Sequence, residues 1–334
     1  MSQIPDKIQA KLKKYYDKAI ESKCVYDSST ISNLGTADLI IYLEPINNII
    51  RINKFHEDIN SKLDENGIYV CSAKTLELRR KMIKNKVPKG FRFFLRIIDF
   101  GYKRVIPKLP IFKNIYFFLT KGYNRIISKP ETLGRLISCG FDILEYFECD
   151  DRLYVISKKI KKPDFNMNPS YGFFLKSDRV GYKGNCIKVY KIRTMYPYSE
   201  YCQDLILKEN DFSASGKIFK DYRITTWGKL FRKYWIDELP NLINFFKRDM
   251  KLIGVRPVSF KYFNKLPKEL QELRVKTKPA CIGIHYSTIP NSFDEVIDYE
   301  VKYLEKYLEK PFKTDLKYLI KFFYNIFFKK IRSG

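Results

Sequence analysis

Asp237 and Glu238 stand side by side in Trp235-Ile236-Asp237-Glu238-Leu239-Pro240-Asn241, and adjacent carboxylates can divide two tasks at one phosphorus centre. One, ionised, attacks phosphorus, while its neighbour holds a divalent cation that neutralises the phosphate oxygens. Proline is tolerated in a helix's first turn, so the sequence predicts a helix over residues 239–247 whose unpaired N–H groups stabilise both anions. An Asp-Glu pair before Leu-Pro also serves as an ordinary helix cap, and the basic residues around it decide between the two readings. Lys191 and Arg193 alternate onto one face of an expected strand over 187–195, as a phosphate-binding sheet edge requires. Arg223 lies just before Thr225 and Thr226, one of which caps a helix through about residue 234. Gly254-Val255-Arg256-Pro257 places a rigid loop around one arginine, and Arg274-Val275-Lys276-Thr277-Lys278-Pro279 is a second basic loop, stopped by proline.

The chain that must position these groups has 334 residues, with 45% apolar and 30% charged, enough for a packed core of one large or two ordinary domains. Lys and Arg number 63 against 37 Asp and Glu, a formal charge of +26 that calls for an anionic partner: nucleic acid, a phosphorylated ligand or an acidic membrane face. Aromatics reach 16%, and basic plus aromatic is the composition of an interface-seeking surface. Seven scattered cysteines with no C-x-x-C pair, and only His56 and His285 to assist them, argue against a zinc site and for a reducing compartment. The first residues lack the apolar core of a signal peptide, and no uncharged apolar stretch approaches spanning length. If a membrane matters, the protein is expected to lie on it or dip into it.

Residues 37–73 read as strand, helix and strand, with a turn at Glu65-Asn66-Gly67. A helix over 131–138 ends at Gly140, and a hairpin over 142–158 turns about Asp150-Asp151. Between these pieces, residues 74–129 hold sixteen Lys and Arg against Glu77 and Asp99, interleaved with aromatic and branched aliphatic side chains. Pro107 and Pro110 break this stretch into two amphipathic arms. A helix-break-helix dipping into an anionic leaflet, a basic helix pair over the α/β core and a nucleic-acid surface all fit. Residues 160–169 are a polar, proline-containing linker. Ser292-x-x-Glu295 is a capping box, and Leu316, Ile320, Phe323, Phe327 and Ile331 form a closing helical stripe suited to membrane docking or to core packing.

In order and spacing, residues 170–286 closely resemble the catalytic domain of the monotopic polyprenyl-phosphate phosphoglycosyl transferases, the bacterial sugar transferase family. The resemblance rests on Asp178-Arg179-Val180-Gly181, Tyr190-Lys191-Ile192-Arg193-Thr194-Met195, Arg223-Ile224-Thr225, Ile236-Asp237-Glu238-Leu239-Pro240-Asn241, Gly254-Val255-Arg256-Pro257 and Lys276-Thr277-Lys278-Pro279. Arg96-Ile97-Ile98-Asp99, with Pro107 and Pro110 beyond, resembles the family's re-entrant membrane helix. The 37–73 and 131–158 pieces are similar to the later half of a class I methyltransferase-type Rossmann domain, without its glycine-rich turn, so no cofactor site is expected there. The resemblance implies transfer of a sugar phosphate from a nucleotide sugar, usually a UDP-sugar, to polyprenyl phosphate. In that picture Asp237 is the nucleophile and Glu238 the Mg²⁺ ligand. Arg256, Arg223, Arg193, Lys191, Arg179 and Lys276 are then the phosphate clamps, and Arg96, Asp99, Pro107 and Pro110 the membrane residues.

The expected architecture is α/β. It combines a partial Rossmann-like domain (1–73 and 131–160), a membrane segment (74–130) and a mainly helical α+β, monotopic catalytic domain (161–334). It would sit on the cytoplasmic face of the bacterial inner membrane, initiating surface polysaccharide assembly, with a homodimer left open and no nucleic acid. Pro279-Ala280-Cys281-Ile282-Gly283 departs from the family's usual loop, and Ile284-His285-Tyr286 replaces its Gly-Arg pair, which touches donor specificity more than chemistry. Two other readings stay in view. One is a nucleic-acid-binding protein, which the acidic pair amid the basic motifs disfavours; the other is an inactive scaffold of the same family.

Overall fold

Ala37–Pro45 is apolar almost without alternation, the pattern of a strand covered on both faces. The computed structural model, which describes residues 4–16, 24–25, 35–121, 123, 125–165, 172–209, 221–290 and 292–329, places this strand inside a five-stranded sheet. The chain divides into two units. Among the described residues, the first comprises everything up to 165 together with 196–209 and 221–223, and the second comprises 172–195 and 224–329.

The first unit opens with α1 (Asp6–Leu12) and β1 (Cys24–Val25), followed by β2 (Ala37–Pro45), α2 (Ile52–Lys62) and β3 (Leu63–Ala73). Next come α3 (Leu76–Lys86), α4 (Arg92–Phe100), α5 (Pro110–Thr120), α6 (Lys129–Ser138) and the hairpin β4 (Phe141–Cys149) and β5 (Arg152–Lys159). The strand order is β1-β2-β3-β5-β4, with β1, β2 and β3 parallel and β5 antiparallel to both its neighbours. Ile40 and Tyr42 point to a core shared with α2 and α6, while Leu39 and Ile41 face Ile8 and Leu12 of α1. β3 begins earlier than the sequence indicates: the turn residues Glu65-Asn66-Gly67 lie inside it as an irregularity, with Asn66 at φ +65°. Asp150, at φ +54°, makes the hairpin turn where it was expected.

The basic stretch holds three helices; Val87 and Pro88, both extended, separate α3 from α4, and a second break separates α4 from α5. α4 runs through a π-helical turn (Gly101–Val105) and a 3-10 turn (Ile106–Lys108), and Leu109 then turns extended (ψ 128°) before α5 starts on Pro110. Of Pro107 and Pro110, only Pro110 marks this second break. Pro107 sits within the 3-10 turn, whose early positions need no N–H donor.

Residues 196–209 belong with this first unit, so the stretch after residue 160 is not continuous with the second. Cys202 and Ile206, the latter on α7 (Gln203–Glu209), are buried in the same core as α6. Gly134 of α6 admits the backbone of Tyr198, since a Cβ there would lie 2.0 Å from its carbonyl oxygen. The first half of the proposed linker (160–165) leaves β5 as a loop, and its remainder lies outside the described residues.

The second unit begins with the hairpin β6 (Phe174–Val180) and β7 (Cys186–Ile192), then α8 (Thr226–Lys233), α9 (Asn241–Phe246) and β8 (Lys251–Gly254). After these come α10 (Phe260–Phe263), α11 (Lys268–Val275), β9 (Ala280–Gly283), α12 (His285–Thr288), α13 (Phe293–Glu309) and α14 (Pro311–Phe327). β8 and β9 pair in parallel, and their core is closed by Leu270, Tyr303, Leu304 and Phe322 from the helices. The anticipated caps are present: Thr225 accepts from the Gly228 N–H at 2.9 Å, and Ser292 from the Glu295 N–H at 3.1 Å. β7 ends at Ile192, short of the expected 195, because the Thr194 carbonyl is taken by the N–H and hydroxyl of Thr225.

Candidate active site

The turn that carries the carboxylates is set by a tryptophan. Trp235 occupies the left-handed position (φ +57°) just past α8, where glycine is the usual residue. Its ring packs edge-on against Tyr286 and Phe322, at 5.3 and 6.4 Å between centroids, so core packing holds a strained backbone that aims the next residues outward. Ile236–Glu238 then form a 3-10 turn, and the α-helix begins only at Asn241. The sequence places the carboxylates at the tip of a helix over 239–247; the structure gives a six-residue helix and puts the pair a turn ahead of it. The electrostatics of the pair therefore come from side chains more than from a helix dipole.

Glu238 is clamped from two elements. Lys191 Nζ, on β7, lies 2.9 Å from Glu238 Oε1, and the Arg256 guanidinium, from the loop after β8, bonds the same oxygen. Burial alone pushes Glu238 up, but the charges of Arg256 and Lys191 outweigh it and hold the carboxyl below its ordinary range. Asp237 moves the other way. Burial raises it first and repulsion by Glu238 adds to that, with Lys191 and Arg232 offsetting only part. Two adjacent carboxylates thus differ in proton affinity, as a division of labour between nucleophile and ion-holding group needs.

Three supports of this arrangement were not singled out in the sequence. Asn244 is fully buried on α9; its amide donates to the Lys188 carbonyl at 2.7 Å and its carbonyl accepts from the Tyr190 N–H at 3.3 Å. One side chain thereby pairs with the free edge of β7 and fixes α9 against the strand that carries Lys191. Replacing Asn244 with Ala leaves two backbone groups unpaired, a loss of about 1–3 kcal/mol. Chemical denaturation should show that loss. Arg232 donates to the Thr194 hydroxyl at 2.9 Å and contributes positive charge toward Asp237. Gly283 is the third support: a Cβ there would come within 2.5 Å of both the Arg256 stem and the His285 ring. The altered loop Pro279–Gly283 retains the one residue whose missing side chain lets Arg256 approach. His285 adds positive influence on Glu238.

The remaining sequence candidates are distributed differently. Arg193 donates to the Gly172 carbonyl at 2.9 Å, Arg179 to the Asp178 carbonyl at 2.8 Å, and Lys276 is exposed after α11. Arg223 belongs to the first unit, buried, with its guanidinium on Asp221 at 2.7–3.1 Å and on Gln203. Lys191, Arg256, Asp237 and Glu238 are the four sequence candidates that the structure brings into one cluster. In the first unit, Asp99 is bonded by Arg79 at 2.6 Å and Lys103 at 3.1 Å, while Arg96 is exposed.

Several helices, in each unit taken by itself, are inverted, with polar side chains inward and apolar ones outward. On α9 the two asparagines are buried, while Leu242, Ile243 and Phe246 (78% exposed) face outward, joined by Leu239 and Leu230. α14 buries Thr314 and Asn325 yet exposes Leu316, Ile320, Phe323 and Phe327 of the expected stripe, and Phe312 besides; Ile331 lies outside the described residues. α4 turns Asp99 inward and Phe93, Phe94, Ile97 and Ile98 outward, and Phe118 of α5 is 83% exposed. Among the described residues, no helix is long and apolar enough to cross a membrane.

Residues 165–329 match the model of the family described as bacterial sugar transferase, and this part of the chain is a domain of that family. Among curated relatives, the chain is 35% identical over 131 residues to the galactosyl transferase CpsE of Streptococcus agalactiae, covering 37% of this chain and 28% of that protein. It is also 35% identical to the uncharacterized sugar transferase EpsL of Bacillus subtilis, over 33% of this chain and 48% of that one. To the undecaprenyl-phosphate galactose phosphotransferase of Salmonella typhimurium it is 38% identical, over 35% of this chain and 25% of the relative. The chain thus spans about a quarter to a half of the length of these relatives.

Proposed function

We propose that the chain transfers a sugar phosphate from a nucleoside-diphosphate sugar, in first place a UDP-sugar, to polyprenyl phosphate. The observation that carries this reading is the carboxylate pair itself: Glu238 held by Lys191 and Arg256, and Asp237 beside it with a raised proton affinity, beneath an outward-facing apolar skin. The Salmonella relative's name, a phosphotransferase acting on undecaprenyl phosphate, supports the choice of acceptor.

An Asp237 oxygen attacks the β-phosphorus of the donor. A bond forms between that oxygen and phosphorus, the bond from the same phosphorus to the bridging oxygen breaks, and UMP leaves with the electron pair. The phosphosugar is then held on the Asp237 carboxyl. A lipid phosphate oxygen attacks the same phosphorus, the aspartyl bond breaks, and polyprenyl-diphosphate sugar departs with Asp237 restored as a carboxylate. Arg256 and Lys191 neutralise the phosphates as they approach the anionic pair, and Arg193, Arg179 and Lys276 are further phosphate-binding candidates on the resemblance alone, whereas Arg223 is spent on Asp221 and Gln203.

Among the described residues no group of three or more Asp, Glu, His or Cys is placed to hold a metal ion. One or two carboxylates completed by substrate phosphates is, however, the sparse oxygen set that Mg²⁺ uses, so Glu238, with Asp237 beside it, fits that ion. Bound there, Mg²⁺ would supply charge neutralisation at the transferring phosphate.

The inverted faces of α4, α9 and α14 support attachment to a membrane surface, monotopic or peripheral, and we place that surface, anionic and on the cytoplasmic side of the bacterial inner membrane, on the resemblance alone. Within this reading the five-stranded sheet is a Rossmann-like scaffold. Exchanging Phe93, Phe94, Ile97 and Ile98 for Ser should lower binding to phosphatidylglycerol vesicles by tenfold or more in a flotation assay while leaving soluble-donor binding intact. The function is tested by incubating the full chain with UDP-sugars labelled in the β-phosphate. Label retained on the protein, chased into lipid by polyprenyl phosphate with stoichiometric UMP, is the expected result. UMP release that never labels the protein contradicts the aspartyl step. Steeply salt-dependent binding to DNA or RNA with no vesicle binding favours the nucleic-acid reading.

A further inference from the structure

We propose that the cleft at the carboxyl ends of β2 and β3 is a second ligand site, taking a phosphorylated small molecule that also bears sugar hydroxyls, such as a nucleotide or a sugar phosphate. In open α/β sheets the crevice beyond the carboxyl ends of the parallel strands is where ligands lie. Here it is formed in two lobes. One is a cavity of about 680 Å³ between α3, Lys103 and the β4–β5 turn; the other, about 630 Å³, lies over the end of β2. The lobes share Lys74, Tyr123, Asp150 and Asp151, so they form one continuous cleft. Each is of a size that holds a small-molecule ligand.

The lobes differ in charge. Lys74, Arg79, Lys81, Lys86, Lys103 and Arg125 line the larger. Asp99 fixes Arg79 and Lys103 as its floor, and Arg125 is spent on the carbonyls of Asn47 and Ile49. Lys81 and Lys86 project exposed from α3, with Lys81 a loose 3.4 Å from Glu148, and are free to close on a phosphate. Glu148, Asp150 and Asp151 line the larger lobe as well, Asp151 loosely paired with Lys74 at 3.7 Å and Arg152 at 3.6 Å. The smaller lobe adds Glu44, so carboxylates able to accept from sugar hydroxyls gather at that end. Between them the Tyr123 ring, 61% exposed, offers a face for a base or a sugar. The glycine-rich turn that seats a pyrophosphate on a helix tip is absent after β2, where Pro45-Ile46-Asn47 stands. Phosphate recognition in this sheet therefore falls to the lysine row of α3.

The proposal does not depend on the carboxylate pair, and its test separates the two. Equilibrium dialysis of the full chain with UDP and with glucose 1-phosphate is run in an Arg256→Ala background, with Lys81→Glu and Lys86→Glu added in a second protein. Saturable binding of at least one probe that survives Arg256→Ala and weakens tenfold or more with the two lysine changes is expected. The same charge reversal at exposed Lys261 and Lys265 should leave it unchanged. Asp151→Asn should weaken glucose 1-phosphate while sparing inorganic phosphate, which has no hydroxyl-bearing ring. Binding that is absent in the Arg256→Ala background, or indifferent to Lys81 and Lys86, overturns the site. Phosphatidylglycerol vesicles form the last arm: if they alone respond to the lysine changes, the cleft reads a lipid headgroup, and the small-molecule assignment fails.

Discussion

Asp237→Asn should reduce turnover by about four orders of magnitude or more, the scale seen when a covalent nucleophile is removed, and should abolish label on the protein. The same change should make the protein more stable at neutral pH. Burial and the neighbouring Glu238 raise the proton affinity of Asp237, so the folded state carries its ionised form at a disadvantage. A neutral amide removes that disadvantage and leaves Glu238 with Lys191 and Arg256. Asp237 is only half-buried, so solvent screening keeps the gain below about 1 kcal/mol, at most roughly 2–4 °C in Tm. Its pH dependence has a definite sign. Because the folded-state affinity of Asp237 is raised, the gain is present above that pKa and fades as pH falls into the range where wild-type Asp237 is itself protonated. The acid limb of the wild-type rate profile should likewise lie above the ordinary aspartate range. An inactive variant with unchanged Tm at every pH would show that the carboxylate is not strained by its surroundings.

Glu300→Ala should produce the largest loss of stability. Arg274 and Glu300 are both buried, and the guanidinium bonds the carboxylate from Nε at 2.9 Å and Nη2 at 2.7 Å. Removing one partner strands a charge in the core, which typically destabilises by about 3–5 kcal/mol, whereas replacing both by apolar residues is near neutral. Arg274 also donates from Nη1 to the carbonyl of Arg256 at 3.1 Å, so the pair fixes the loop from which Arg256 reaches Glu238. Glu300→Ala should therefore lower Tm by roughly 10 °C. The double change Arg274→Leu with Glu300→Leu should recover most of that stability while kcat/KM stays at least tenfold down. Recovery of activity along with stability would make the pair a packing element with no part in placing Arg256.

Asp237-Glu238-Leu239-Pro240 stood out in the chain as the candidate pair, because a carboxylate's chemistry is a property of its residue type and Pro240 marks the start of a turn. Part of the strand and helix order of the first unit was legible for the same local reason, in apolar runs ended by Gly140 and Asp150, whereas Gly67 lies inside β3. Order along the chain could not show that Lys191 and Arg256 meet on one oxygen of Glu238, nor that Arg223 is bound instead to Asp221 in the first unit. Those pairings depend on which surfaces are buried together, a long-range outcome of packing. The helix of 239–247 was misplaced for a similar reason: Pro240 and the following apolar residues favour a helix, but the Trp235 ring, locked against Tyr286 and Phe322, dictates a left-handed turn and a 3-10 start. Asn244 was invisible as a support because an asparagine amid apolar residues reads as an exposed polar position. Tertiary structure turns that helix over, burying the amide on the edge of β7 and presenting the apolar residues outward.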